Sequence, residues 1–184
     1  LSVDYRVDAA GKVLVKYHLE ADKDLPSMLR VGMTAGITSD FVNLAYFGKG
    51  PWENYIDRNR GAEVALYRTG SEDIWYSYVK PQFNGNRTGV RWMEMKGEGK
   101  KATGILIDSP EHFEFSVWPY DAEQLDKAMH PHEMIRSGFY TLNLDLIHAG
   151  VGGTDSWTSN ANPIKKYQVP AGDYVFDFSF EPAE

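Results

Sequence analysis

The segment YVFDFSF, residues 174–180, decides the fold class. Aromatic residues occupy every second position of this segment, at Tyr174, Phe176, Phe178 and Phe180. Successive side chains of a β-strand point to opposite faces of a sheet, so a period of two predicts a strand with one aromatic face turned towards a core. The chain is therefore expected to be built on strands.

Six further segments carry strand signals, and they are residues 2–7, 12–20, 28–37, 41–47, 113–117 and 139–148. The turn-like sequence DAAG, residues 8–11, separates the first two segments and predicts a β-hairpin. Many short strands with Gly- and Pro-rich turns favour an antiparallel β-sandwich. We expect an all-β fold in one domain spanning residues 1–184.

One short helix interrupts the strand pattern. Asp121 is suited to cap it, and Gln124 occupies the capping-box position three residues later. Residues 122–129 are good helix formers, and Pro119 and Pro131 bound them on either side. The sequence therefore predicts a helix of about two turns.

Composition excludes several classes of function. The net charge of −7 argues against nucleic acid and against an anionic membrane surface as partners. The absence of Cys excludes disulfides and thiolate metal sites, and it leaves cytoplasm and periplasm equally open. Aromatic residues make up 14% of the chain, which suits both a β-core and the stacking of sugar rings.

The sequence GVGGTDSW, residues 150–157, is the most unusual segment of the chain. Its three glycines permit positive φ angles or close approach to another surface, and it ends in Trp157. Two interpretations remain open from the pattern alone. Either the indole is a platform for a sugar, or the segment is a tight sheet corner whose Trp fills the core. Phosphate binding is disfavoured because no Lys-Ser/Thr pair follows the glycines.

Histidines and carboxylates offer weaker signals. His130 and His132, followed by Glu133, could ligate a metal or act as acid and base, but their spacing favours a structural or interfacial role, and no metal is predicted. His148 is expected to be a buried histidine on the apolar face of its strand. Asp57 and Asp145, like Glu53 and Asp155, are each expected to cap a turn or form a salt bridge, since a glycosidase pair cannot be established from spacing in strands.

Four segments together resemble the C-terminal, small-chain domain of family 2 β-galactosidases. They are YFGKGPWENYIDR (46–58), PQFNGNRTGVRW (81–92), FSVWPYDAEQLDKAMHPHEM (115–134) and LDLIHAGVGGTDSW (144–157). They occur in the order and at about the spacing of that family. The resemblance covers nearly the whole chain.

The resemblance implies an accessory domain of a retaining β-galactosidase that acts on a galactoside or a related oligosaccharide. A barrel domain of the same parent chain would supply both catalytic glutamates, so this chain holds no catalytic residue. It implies a supersandwich like that of galactose mutarotases, and it implies that Trp157 stacks on sugar, with Asp155 and Ser156 beside it. No cofactor is expected here. Any Mg or Na ions of the parent belong to other domains, and the parent is expected to be a homo-oligomer.

The sequence departs from the family pattern at two positions. Phe83 stands where the family has Glu, and Thr154 stands where it has a first acidic residue before Ser-Trp. The chain begins with Leu1 and has no counterpart of the family's earlier strands, so we expect a partial domain without the catalytic barrel. Two alternative functions stay open: an autonomous carbohydrate-binding module and, less favoured, a mutarotase-like aldose epimerase that uses His130 or His132.

Overall fold

The computed structural model describes residues 1–99, 102–155 and 157–183. Within these residues the chain forms one antiparallel sheet of nine strands. The strands are β1 (Ser2–Val7), β2 (Val13–Glu20), β3 (Arg30–Thr38), β4 (Asn43–Gly50), β5 (Glu63–Gly70), β6 (Arg87–Lys96), β7 (Gly104–Trp118), β8 (Phe139–His148) and β9 (Asp173–Ala183). The prediction of an all-β, antiparallel fold is confirmed.

The long strand β7 is where the sheet divides. Residues 104–108 of β7 pair with β9, whereas residues 114–118 pair with β8. Strand β6 runs along the opposite edge of both halves. The pairs β2–β9 and β3–β8 therefore lie along the same edge of β7, the first beside its N-terminal half and the second beside its C-terminal half. Side chains of both pairs contribute to one apolar cluster. Its members include Val15, Phe176, Phe178, Phe115, Leu142 and Leu144.

Several predicted elements match the structure closely. The hairpin of β1 and β2 forms across residues 8–11, where the Asp8 carboxylate accepts the backbone N–H of Ala10 at 2.8 Å. The helix α1 (Ala122–Lys127) begins after Asp121, whose Oδ1 accepts the Gln124 N–H at 2.8 Å, and it ends two residues before the predicted 129. None of the described helices is long and apolar enough to cross a membrane.

Sequence reasoning did not find β5, β6 or the first half of β7. β5 pairs with β4 alone, so it is an edge strand, and Val64 and Leu66 stay exposed on it. β6 contains residues of both faces that are buried, which removes the alternation of polar and apolar residues that marks a half-exposed strand. β5 and β6 therefore lack the contrast between one buried and one exposed face on which the sequence prediction depends.

The face of β7 and β8 opposite the apolar cluster is also buried, and its side chains are polar. This polar layer comprises Glu114 and Ser116 of β7 with Thr141, Asn143 and Asp145 of β8. Hydrogen bonds satisfy its members: the Asn143 Nδ2 donates to Ser116 Oγ at 3.1 Å, and Thr141 Oγ1 donates to the carbonyl of Tyr120 at 2.8 Å. Its other partners come from β3, where Arg30 bonds Asp145 and Thr34 bonds Asn143, and from Asn86, which bonds Glu114.

Candidate functional site

The glycine loop, residues 150–157, follows β8 and is tied to the segment that returns towards β9. The Gly150 N–H donates to the Tyr167 carbonyl at 2.7 Å, and the Thr154 N–H donates to the Asn160 carbonyl at 2.8 Å. The loop is thus fastened at both ends by main-chain hydrogen bonds. Hydrogen bonds to residues outside the loop therefore help to fix its conformation.

The glycines of this loop are required for close approach and not for unusual backbone angles. None of Gly150, Gly152 and Gly153 has a positive φ. A Cβ on Gly150 would lie 2.6 Å from the Asp57 carboxyl carbon, and one on Gly153 would collide with the Ala161 carbonyl. Of the two reasons that the sequence offered for these glycines, the structure supports the second.

Asp57 anchors the loop from a distant part of the sequence. Its Oδ2 accepts the Gly152 N–H at 2.7 Å, although 95 residues separate the two. Its Oδ1 is buried and has no hydrogen-bond partner among the described residues. The sequence motif that contains Asp57 was recognised, but nothing in it indicated that this carboxylate would hold the loop.

Trp157 presents its indole to solvent, with 87% of the residue exposed. The alternative in which this Trp fills the core is therefore wrong. Asp155 stabilises the turn beneath it, because its carboxylate accepts the Trp157 N–H at 3.0 Å and the Thr158 N–H and hydroxyl at 2.8 and 2.6 Å. The Thr158 hydrogen bonds, with that of Trp157, lower the pKa of Asp155.

Both Asp155 oxygens are occupied by the loop itself, so the structure gives this residue a turn-stabilising role. That role is compatible with the sequence expectation of a turn cap, and it makes Asp155 a support for Trp157. Ser156, the third predicted substrate-binding residue, lies outside the described residues. Of Asp155 and Trp157, the more exposed residue is Trp157.

Glu114 and Asp145 lie directly opposite each other in the β7–β8 ladder. Asp145 is bound by the Arg30 Nη1 at 3.0 and 3.1 Å, and Glu114 accepts the Asn86 Nδ2 at 2.6 Å. Burial raises the pKa of Glu114 to about 8, and it also raises the pKa of Asp145 although Arg30 opposes the shift. With exposures of 5% and 0%, these two carboxyls are closed to a substrate and do not form a glycosidase pair.

A β-bulge moves His148 to the polar side of its sheet. Val31 pairs with Ile147 but Gly32 pairs with Asp145, so β8 contains one extra residue between these pairs. The His148 ring contacts Tyr55 and Phe83, and its Nδ1 lies 2.6 Å from the Ala149 carbonyl. The prediction that His148 is buried is confirmed, whereas its assignment to the apolar face is wrong because the bulge reverses the alternation.

Phe83, a position at which the sequence is expected to depart from the family pattern, packs over this same region. Its ring centroid lies 4.6 Å from that of His148 and 4.7 Å from that of Trp118, and the Arg30 guanidinium lies 5.6 Å from it. The ring thus contributes aromatic and cation–π contacts where a carboxylate would bring a further negative charge close to Asp145.

His130 and His132 lie on the surface after α1 and stack on each other with ring centroids 5.5 Å apart. The His130 Nδ1 lies 2.9 Å from Glu133, whose pKa this contact lowers. In the described part of the chain, no group of three or more His, Cys, Asp or Glu side chains is placed to hold a metal ion. His130 thus contacts His132 and Glu133 at the surface.

The family described as beta galactosidase small chain matches residues 1–180. The chain belongs to this family. Its relatives include the β-galactosidase of Vibrio cholerae, which is 33% identical over 159 residues that make up 86% of this chain and 15% of the relative. The β-galactosidase of Priestia megaterium is 29% identical over 98% of this chain and 17% of the relative. Beta-galactosidase BgaC of Bifidobacterium adolescentis is 34% identical over 93% of this chain and 16% of the relative.

The small-chain family membership confirms the resemblance drawn from the four sequence segments. The chain spans about one sixth of the length of these relatives. Among the described residues of the glycine loop, the indole of Trp157 is exposed on a fastened backbone, whereas the Asp155 carboxylate is engaged by the turn. An exposed aromatic ring of this kind can bind and orient a ligand.

Proposed function

We propose that this chain is the accessory domain of a β-galactosidase, in which Trp157 stacks on the sugar while another domain of the parent chain breaks the glycosidic bond. The observation that carries the proposal is the exposure of Trp157 on a loop that Asp57, Tyr167 and Asn160 hold in place. The relatives are β-galactosidases, which supports a galactoside as the ligand.

An indole suits this role because the apolar C–H face of a sugar ring packs on it by dispersion and burial. The contact would contribute about 1–3 kcal/mol for a partly buried ring face. Fastening the loop in advance reduces the conformational entropy that binding would otherwise cost. The domain would thus hold and orient the sugar without taking part in bond cleavage.

The test is Trp157→Ala in the full-length enzyme that carries this domain. We expect KM for a galactoside to rise by about tenfold, which corresponds to about 1.4 kcal/mol. An interaction made equally in the ground and transition states changes KM and leaves kcat nearly constant. Trp157→Phe, which keeps an aromatic face, should retain part of the affinity.

The control is Ile135→Ala, because Ile135 is a highly exposed apolar residue outside the glycine loop. An unchanged KM in Trp157→Ala would refute the assignment of the platform. Calorimetry of the 184-residue chain with galactosides separates the accessory domain from an autonomous module: saturable micromolar binding would support the module, and an absence of binding would support the accessory domain.

A further inference from the structure

A second exposed indole, Trp52, borders a cavity of about 220 Å³ outside the glycine loop. The cavity has aromatic walls from Trp52, Tyr67 and Tyr76, and charged side chains from Arg68, Asp73 and Arg87 also line it. Drug-sized ligands occupy pockets of about 300–1,000 Å³, so this cavity suits a ligand no larger than a single sugar ring.

Arg87 is the unusual residue of this cavity, because its guanidinium is buried without a carboxylate partner. Only 3% of Arg87 is exposed. Its Nε donates to the Tyr46 hydroxyl at 3.1 Å, and its Nη1 donates to the carbonyls of Gly85 and Asn86 at 2.9 and 3.2 Å. The Tyr76 ring also makes a cation–π contact with it, with the guanidinium carbon 5.8 Å from the ring centroid. Among the described residues Arg87 forms no ion pair, and its Nη2 has no hydrogen-bond partner.

A buried cation is costly unless an anion compensates it. The neighbouring carboxylate, Asp73, forms no ion pair with Arg87 or Arg68 in the described part of the chain, and its Oδ2 accepts the Gly70 N–H at 3.2 Å. Two arginines and one carboxylate thus line the cavity, in a chain whose net charge is −7. This local excess of positive charge favours a ligand that carries a negative group.

The geometry of the groups that line the cavity further restricts the chemical class of its ligand. The Nε and Nη1 of Arg87 are already used in hydrogen bonds, so its Nη2 is the group left to donate a charge-assisted hydrogen bond to a carboxylate oxygen. Trp52 is 71% exposed at the edge of the cavity, so its ring face is available to the apolar side of a pyranose. We propose that this cavity binds a monosaccharide-sized acidic sugar, with Arg87 holding its carboxylate and Trp52 stacking on its ring.

The experiment compares D-galacturonate with D-galactose, which differ only in a carboxylate at carbon six. Tryptophan fluorescence and calorimetry of the 184-residue chain should show saturable binding of galacturonate in the millimolar range, and galactose should bind at least about tenfold more weakly. Added salt should weaken galacturonate binding, because screening reduces the attraction between the carboxylate and the two arginines.

Variants then assign the binding to this cavity. Trp52→Ala and Arg68→Gln change exposed residues, so both proteins should fold, and each should weaken galacturonate binding several-fold. Arg87→Lys keeps the charge but loses the planar group that bonds Tyr46 and two carbonyls while Nη2 faces the ligand, and it should weaken binding further. Val79→Ala, at an exposed residue that does not line the cavity, is the control and should bind galacturonate like the parent sequence.

Equal affinities for galacturonate and galactose would refute recognition of the carboxylate. Binding that Trp52→Ala and Arg68→Gln leave unchanged would place the ligand elsewhere, and absence of saturation at concentrations on the order of 50 mM would refute the site itself. The role proposed for the glycine loop is tested separately by Trp157→Ala in the full-length enzyme, and Trp157→Ala in the 184-residue chain should leave galacturonate binding to this cavity unchanged.

Discussion

Two neighbouring cross-strand pairs of β7 and β8 show how differently the two faces of this sheet are stabilised. Phe115 lies opposite Leu144 on the apolar face, and Glu114 lies opposite Asp145 on the polar face. All four residues are buried. The first pair depends on buried area and packing, whereas the second depends on Arg30 and Asn86 being in place. The contribution of the apolar face to stability should therefore not depend on pH, whereas that of the polar face should.

Leu144→Ala should have the largest effect on stability. Leu144 is 2% exposed within the apolar cluster, so the substitution leaves a cavity and should lower the free energy of unfolding by about 2–5 kcal/mol. Chemical denaturation followed by fluorescence measures the loss. The loss should be the same at pH 5 and pH 8, since no titratable group is removed, and a strongly pH-dependent loss would break the contrast between the two faces.

Glu114→Gln should change the pH dependence of stability. Burial raises the pKa of Glu114 from 4.5 to about 8, so between these values the folded protein keeps a proton that the unfolded chain has released. Stability therefore falls as the pH rises through this window. Gln cannot titrate, so the slope of unfolding free energy against pH should become less negative by up to about 1.4 kcal/mol per pH unit.

Asp145 also has a raised pKa, so part of the slope should remain in Glu114→Gln. Glu111→Gln, at an exposed residue of the same strand, is the matched control and should leave the slope unchanged. If Glu114→Gln has the slope of the parent sequence, Glu114 is ionised in the folded protein, and the polar face is less sensitive to pH than we infer.

Asp57→Ala should have the smallest effect on global stability, about 0.5–1.5 kcal/mol for one hydrogen bond. Its local effect should be clear, because the Gly152 N–H loses its acceptor. Hydrogen exchange should accelerate at Gly152 and leave the amides of β8 unchanged. Acceleration that spreads equally through β8 would mean that Asp57 supports the sheet and not the glycine loop.

The sequence predicted the elements that depend on residues close together in the chain. It missed features that depend on distant segments. The hairpin of β1 and β2 and the Asp121 cap of α1 depend on neighbouring residues, so local rules sufficed. The polar side of β8 was not predicted to be buried, because Asn143 and Asp145 acquire their partners Thr34 and Arg30 from β3, more than 100 residues away. Periodicity describes one strand and cannot show what covers its other face.

For the glycine loop too, some features followed from the sequence and others only from the tertiary structure. The sequence by itself determined that residues 150–157 form a glycine-rich loop ending in an aromatic ring, and the order of four motifs determined the family. Only the tertiary structure decided that Trp157 faces solvent, that Asp57 holds the loop and that Arg87 is buried without an anion. The physical reason is that exposure and pairing depend on which distant segments meet in space, whereas turns, caps and strand faces depend on residues adjacent in the chain.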